Sequence, residues 1–218
     1  MIPIAFINLD RRPDRRHSVE SQLTEQKADQ VFRFRAKDAR EYVFTPDELS
    51  VFTRADFIHD RRIAAPIMCN FLCHYDLWDF MTEKRIPLMV ILQDDVILRP
   101  NFAGYVYSMS RYLPDDAEVV WLAVPEQVRR FMPYERAGVI LDEVTPYVSR
   151  LHPSVNPCSL AYLVTLEGAR RLKEHAQTQG VHRATDFWMN EYLIKKNIYY
   201  VSTEILARDE PEFKSDIF

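Results

Sequence analysis

Two adjacent carboxylates, Asp94 and Asp95, close the apolar run Leu88–Leu92 after a single glutamine, Gln93. Like charges this close repel, and taking either out of water is costly unless a cation or hydrogen-bond donors compensate. One reading is a solvated turn in which Asp94 caps the segment that follows. Against it, Val96-Ile97-Leu98 resume the apolar pattern at once, with no Gly or Asn to make a tight turn. The other reading is a metal site. Mg²⁺ and Mn²⁺ take carboxylate oxygens, often only one or two from the protein, and complete their shell with ligand phosphates.

A second concentration of charge lies at the other end of the chain's first apolar run. Arg11, Arg12, Arg15 and Arg16 surround Pro13, a residue suited to the first position of a helix. A helix start disfavours cations. Either Asp10 and Asp14 neutralise the arginines on a wet surface, or guanidiniums and free N–H groups together receive an anion such as a diphosphate. Asp186 follows a polar loop at another helix start, where a carboxylate complements the helix dipole. His74 sits among Cys73, Leu77 and Trp78, surroundings that favour a buried core histidine. Cys69, Cys73 and Cys158 match no common zinc spacing and read as buried thiols of a reducing compartment.

The elements that must carry these groups alternate. Ile4–Leu9 predicts a strand, followed by a helix to about Lys27, then a half-wet strand over Val31–Arg35. Arg40–Ile63 is polar and mixed, with a short helix after Thr45-Pro46. Helical spacing returns at Met68–Lys84, where Phe71, Tyr75, Trp78 and Met81 share a face. The strand ending at the aspartates comes next; its continuous apolar run suits a strand covered on both faces. A helix over Phe102–Tyr112, a strand over Glu118–Val124 and a strand in Ser159–Thr165 follow, and Thr165 caps a helix beginning at Leu166. Thr185 or Asp186 opens the last helix and Ile198–Ile205 forms the last strand. Pro125–Pro157 holds five prolines and reads as irregular, a flap over a site. This is an α/β arrangement around a mostly parallel sheet flanked by helices, read as a single domain over residues 1–218.

Composition narrows the class. A chain of 218 residues supports one domain with a large core. A net charge of −4 without a long basic run argues against nucleic-acid binding. No apolar run approaches the length of a membrane span, and the first residues have no basic lead-in to their apolar stretch, so the expectation is a cytoplasmic protein without a signal peptide.

The segments "INLDRRPDRR", "RFRAKDAR", "CNFLCHYDLW", "ILQDDVIL", "AYLVTLEGARRL" and "TDFWM" occur in this order. Together they resemble glycosyltransferase family 25, the lipopolysaccharide and procollagen galactosyltransferase-like family, over Ile4 to about Ile217. The resemblance implies a GT-A-like fold and an inverting transfer. It also implies a UDP-sugar donor, usually UDP-galactose, and a Mn²⁺ or Mg²⁺ ion bridging the diphosphate. The acceptor would be a saccharide, glycolipid or glycoprotein hydroxyl, the glycolipid bringing the enzyme to a membrane surface. By position, Asn8, Asp10 and Arg15 fall at the nucleotide end of the first strand, with Asp38 beside base or ribose. Asp94 and Asp95 match the last two acidic residues of the family's Glu-Asp-Asp, and Asp186 its later aspartate, which an inverting transfer would use as the base taking the acceptor proton, unless it only complements its helix dipole.

The departures also carry information. Gln93 stands where the family has glutamate, so the site holds one charge fewer, although an amide still serves a ribose hydroxyl. Asn70 and Cys73 stand for Cys and Ser, and Ala39 and Ala161 for glycines. They support a second expectation, a non-catalytic member that binds a sugar nucleotide or a partner protein. A haloacid-dehalogenase-like phosphatase ranks last, because "QDDVIL" lacks the Asp-x-Asp spacing.

Overall fold

In the computed structural model, residues 2–52, 61–123, 140–153, 158–204, 206–210, 212 and 213 are described. β1 (Ile4–Asn8) is buried at every position, as a strand covered on both faces must be. α1 (Pro13–Glu25) follows with proline in its first turn and turns Arg15, Val19 and Leu23, spaced by four, toward the interior. β2 (Val31–Arg35) pairs in parallel with β1 and stays half-exposed as the sheet's edge. α2 (Pro46–Ser50) starts in a capping box: Thr45 accepts from the Glu48 N–H, and the Glu48 side chain returns to the Thr45 N–H. α3 (Arg61–Lys84) is the longest helix described, and it begins upstream of the Met68 start expected from its periodicity.

β3 (Leu88–Gln93) lies beside β1 in parallel register, Ile7 opposite Gln93, so Asn8 and Asp94 are the next residues along. β4 (Val96–Leu98), α4 (Phe102–Met109) and β5 (Val119–Trp121) follow, then the hairpin β6 (Ile140–Thr145) and β7 (Val148–Leu151). β8 (Ala161–Thr165) leads directly into α5 (Leu166–Gln179), with the Thr165 hydroxyl accepting from the Gly168 N–H as expected of a cap. α6 (Thr185–Lys195), β9 (Tyr200–Ser202) and β10 (Ala207–Asp209) complete the set.

The main sheet has the order β2-β1-β3-β8-β5-β9-β7-β6, and β10 pairs with β4 in a second, two-stranded sheet. β2, β1, β3, β5, β9 and β6 run one way, and only β8 and β7 run against them. The expected α/β class, a mostly parallel sheet flanked by helices, is the one observed. Large aromatic side chains fill the helix side: Phe71 meets Trp188 and Trp78 edge-on, at 5.2 and 5.8 Å between ring centroids.

The expectation of irregular chain over Pro125–Pro157 needs correction in its middle. Residues 124–139 and 154–157 lie outside the described residues, but β6 and β7 pair between them. Asp142, Glu143 and Val144 are all exposed, so this part of β6 writes no alternating pattern into the sequence.

Candidate functional site

The carboxyl ends of β1 and β3 bring Asn8 and Asp94 together, and α1 adds Arg15 from its first turn. Asp94 Oδ1 accepts from Arg15 Nη1 at 2.9 Å and Oδ2 from Asn8 Nδ2 at 2.6 Å. All three residues are buried, at 6, 3 and 1% exposure for Asp94, Arg15 and Asn8. Asn8 is used on both sides of its amide: Nδ2 also donates to the Arg12 carbonyl, and Oδ1 accepts from Arg33 Nε at 2.8 Å. Asp95 is more open and stands 3.5 Å from the same Arg15 nitrogen. A buried carboxylate needs a partner and hydrogen bonds to be tolerated. Asp94 has both from the protein alone, so the end of β3 does not require a bound cation in order to fold. Arg15, expected to meet a diphosphate, reaches Asp94 and Asp95.

A cavity of about 460 Å³ opens in front of this cluster, within the range usual for small-molecule sites. Gln93, Asp94, Asp95 and Arg15 line its acidic end. Gln93 is oriented by donating to Ser159 Oγ at 2.9 Å. On another wall Arg11 Nε donates to Asp38 Oδ2 at 2.8 Å, and Asp38 Oδ1 accepts from the Arg40 N–H. α3 supplies Pro66, Cys69, Asn70 and Cys73, the i, i+3, i+4, i+7 face of one helix. Burial pushes the Cys69 thiol up to about 12 and the Cys73 thiol up to about 11, so both are neutral, unreactive wall residues.

Some expected site residues lie elsewhere. Asp10 does not line the cavity among the described residues; Arg33 and Arg35 pair with it at 2.5 and 2.6 Å, and the Arg33 hydrogen bond holds its carboxyl below the usual range. Asn8 stands behind Asp94 rather than on the wall. Asp186 does not line the cavity either. Its carboxylate accepts from the Phe187 N–H at 2.9 Å in the first turn of α6, and burial raises its pKa. His74 is a core residue, as its neighbours implied: it is fully buried, burial pulls it down to about 3, and Nδ1 meets the Tyr162 hydroxyl at 2.9 Å. Of the two carboxylates next in line as base should Asp186 only cap its helix, Asp209 ends β10 and Asp216 lies outside the described residues.

Two contributors carried no sequence signal. Phe213 lays its ring over the guanidiniums of Arg15 and Arg12, with 5.3 and 5.6 Å from each Cζ to the centroid. The Glu210 N–H donates to the Asp95 carbonyl at 2.8 Å, tying the same segment to the acidic pair. Lys37 lines the cavity and pairs with Asp76. An isolated aromatic near a chain end and a lysine in a loop show no spacing that would single them out.

A divalent cation fits this donor set in one way. No group of three His, Cys, Asp or Glu side chains converges among the described residues, so the protein supplies no closed cage. Hard cations held by one or two carboxylates and by ligand phosphates need none. Asp95, partly open at the cavity, could hold one, with Asp94 fixed beside it by Asn8 and Arg15.

The sequence pattern of glycosyltransferase family 25 (LPS biosynthesis protein) matches residues 1–189. Two proteins named glycosyltransferase 25 family member, from Aedes aegypti and Drosophila melanogaster, are 27% identical over 179 residues and 26% identical over 178. Each alignment takes in 78% of this chain but only 28 and 27% of the relative, so the chain corresponds to a minor part of those longer proteins. Among solved structures, the galactosyltransferase LgtC in complex with donor and acceptor sugar analogs aligns over 96% of this chain and 87% of its own, with a TM-score of 0.47 and 9% identity. A glycosyltransferase involved in glycosylation of the major capsid of PBCV-1 aligns over 98% and 94%, with a TM-score of 0.47 and 7% identity.

Proposed function

The chain belongs to glycosyltransferase family 25, and from that premise we propose that it moves a hexose, galactose or glucose, from a UDP-sugar to an acceptor hydroxyl with inversion at the sugar carbon. The observation that carries this reading is the cavity at the carboxyl ends of β1 and β3, where open α/β sheets bind ligands. Asp94 and Asp95 with Arg15 line the same cavity as the Arg11–Asp38 pair. The proposed role of Asp95 is to hold Mn²⁺ or Mg²⁺, with Asp94 kept in place by Asn8 and Arg15. Such an ion supplies positive charge where the departing diphosphate gains negative charge.

The chain's own groups do the rest. Arg11, on the cavity wall, offers a guanidinium to the nucleotide, and Asp38 accepts from its hydroxyls or base. Gln93, fixed by Ser159, presents an amide to the ribose. Asp186 is the proposed base: its raised pKa matches a carboxylate that must take the acceptor proton. In its present position it reaches the cavity only through its neighbour Thr185, so approach of α6 to the bound donor is part of the proposal. The acceptor is a saccharide, glycolipid or glycoprotein hydroxyl; a glycolipid in lipopolysaccharide synthesis would place the enzyme at the cytoplasmic membrane surface.

Hydrolysis of UDP-galactose, UDP-glucose and UDP-N-acetylglucosamine, which needs no acceptor, tests the reading. Release of UDP from one of them is the expected result, and release from none, together with no nucleotide binding, overturns it. One observation favours a second reading, a member that binds without transferring. Asp94 is already neutralised by Arg15, and Gln93 removes a charge from the acidic end, so the fold persists without the reaction's ion. Tight UDP binding without hydrolysis or transfer is the outcome that reading predicts.

A further inference from the structure

We infer that Asn70 is a specificity-determining residue for the transferred hexose, its amide aimed by a buried hydroxyl on a different helix. The inference rests on the cavity being a nucleotide-sugar site and goes beyond it by naming what one wall recognises. On the cavity face of α3, Pro66 has no donor and the two thiols are neutral and weakly polar, which leaves Asn70 as the hydrogen-bonding side chain of that wall. Thr185 Oγ1 donates to Asn70 Oδ1 at 2.9 Å, and Thr185 is only 1% exposed. In this arrangement the carbonyl faces the Thr185 hydroxyl, and Nδ2 is the atom left to the cavity. Among the described residues it has no protein acceptor.

The chemistry of that atom selects its ligand. The acidic end and Arg11 supply charge for the ionic parts of a nucleotide. A neutral N–H donor suits a hydroxyl oxygen. Asn70 is also where α6 touches the cavity wall, and α6 begins with Thr185 and Asp186. The hexose carbon under attack must lie toward the base, so the hydroxyl that Asn70 meets belongs to the hexose rather than the ribose. This chain's departure from the family pattern at position 70 therefore sits at the group being transferred.

Titration calorimetry with UDP, UDP-glucose and UDP-galactose, each with Mn²⁺, on wild type, Asn70→Asp and Thr185→Val tests this. Asn70→Asp keeps the shape and the acceptor for Thr185 but has no N–H; Thr185→Val keeps volume and leaves the cavity's composition untouched. The preference for the UDP-hexose over UDP should fall roughly 3–10-fold in Asn70→Asp, the worth of one neutral hydrogen bond. It should fall by less in Thr185→Val, where the amide is present but free to turn. Melting temperatures taken alongside identify any variant that fails to fold, and the other variant then decides. Equal losses for UDP and UDP-hexose would assign the contact to the nucleotide and overturn the inference. So would an unchanged preference in both variants. If wild type binds UDP but no variant shifts the preference, the inference alone fails; if wild type binds neither ligand, the donor-site reading fails first.

Discussion

Taking the guanidinium from Arg15 would leave Asp94 as a buried charge with one amide for company. Breaking a buried pair from one side typically costs about 3–5 kcal/mol, so Arg15→Met should lower the unfolding free energy from denaturant titration by an amount of that order. Asp95→Ala is different, because Asp95 is partly open and shares an arginine already engaged by Asp94. It should abolish transfer while moving stability by no more than about 1 kcal/mol, the scale of exposed pairs; wild-type turnover in this variant would remove Asp95 from the site. Asp186 makes a prediction in two currencies. Burial raises its pKa, so between the ordinary value of 3.8 and the raised one the folded state binds more protons than the unfolded state. Stability therefore falls as pH rises through that window, and above it the charged carboxylate is a standing cost. Asp186→Asn should melt higher than wild type at pH 7, with the advantage shrinking as pH falls toward 3.8, and should transfer sugar roughly 10²–10⁴-fold more slowly if Asp186 is the base. Unchanged transfer would reduce it to a helix-end residue. At this scale the sequence showed the acidic pair and the arginines by type and spacing. It could not show that Arg15 would reach Asp94, since that contact spans 79 positions and depends on β1 lying beside β3.

The elements hold these groups through register more than through any special motif. β1 and β3 are parallel neighbours, so their last residues, Asn8 and Asp94, necessarily meet. β8 enters between β3 and β5 in the opposite direction and passes straight into α5 through the Thr165 cap. A tight approach there gives an element-level prediction. A Cβ on Gly168 would stand 2.2 Å from the Glu118 carbonyl oxygen, a contact that only backbone movement relieves. Gly168→Ala should cost about 1–3 kcal/mol, as overpacking does, with nucleotide affinity per folded molecule unchanged; a variant as stable as wild type would contradict the packing of α5 on β5. The buried strands and amphipathic helices were legible because each writes its burial into its periodicity. β4 and β10 were not, being three-residue strands that pair with each other outside the main sheet, and β6 was not, because Asp142, Glu143 and Val144 face water. Thr165, by contrast, was recognisable as a cap from its place between an apolar strand and "LEGARRL".

At the scale of the molecule, the net charge is −4 and no helix among the described residues is long and apolar enough to cross a membrane, and neither fact chooses an acceptor. Acceptor recognition lies in loops whose sequences carry no periodicity, and the chain matches only 28 and 27% of its longer relatives. Asp94 is satisfied by Asn8 and Arg15, whereas Asp95 lines the cavity together with Arg11, so nucleotide and cation should each need the other. Calorimetry of UDP binding, with Mn²⁺ and again with chelator, measures this directly. The account predicts a dissociation constant at least tenfold tighter with the metal, about 1.4 kcal/mol of coupling, and that gain should vanish in Asp95→Ala. Equal affinity with and without Mn²⁺ would contradict it.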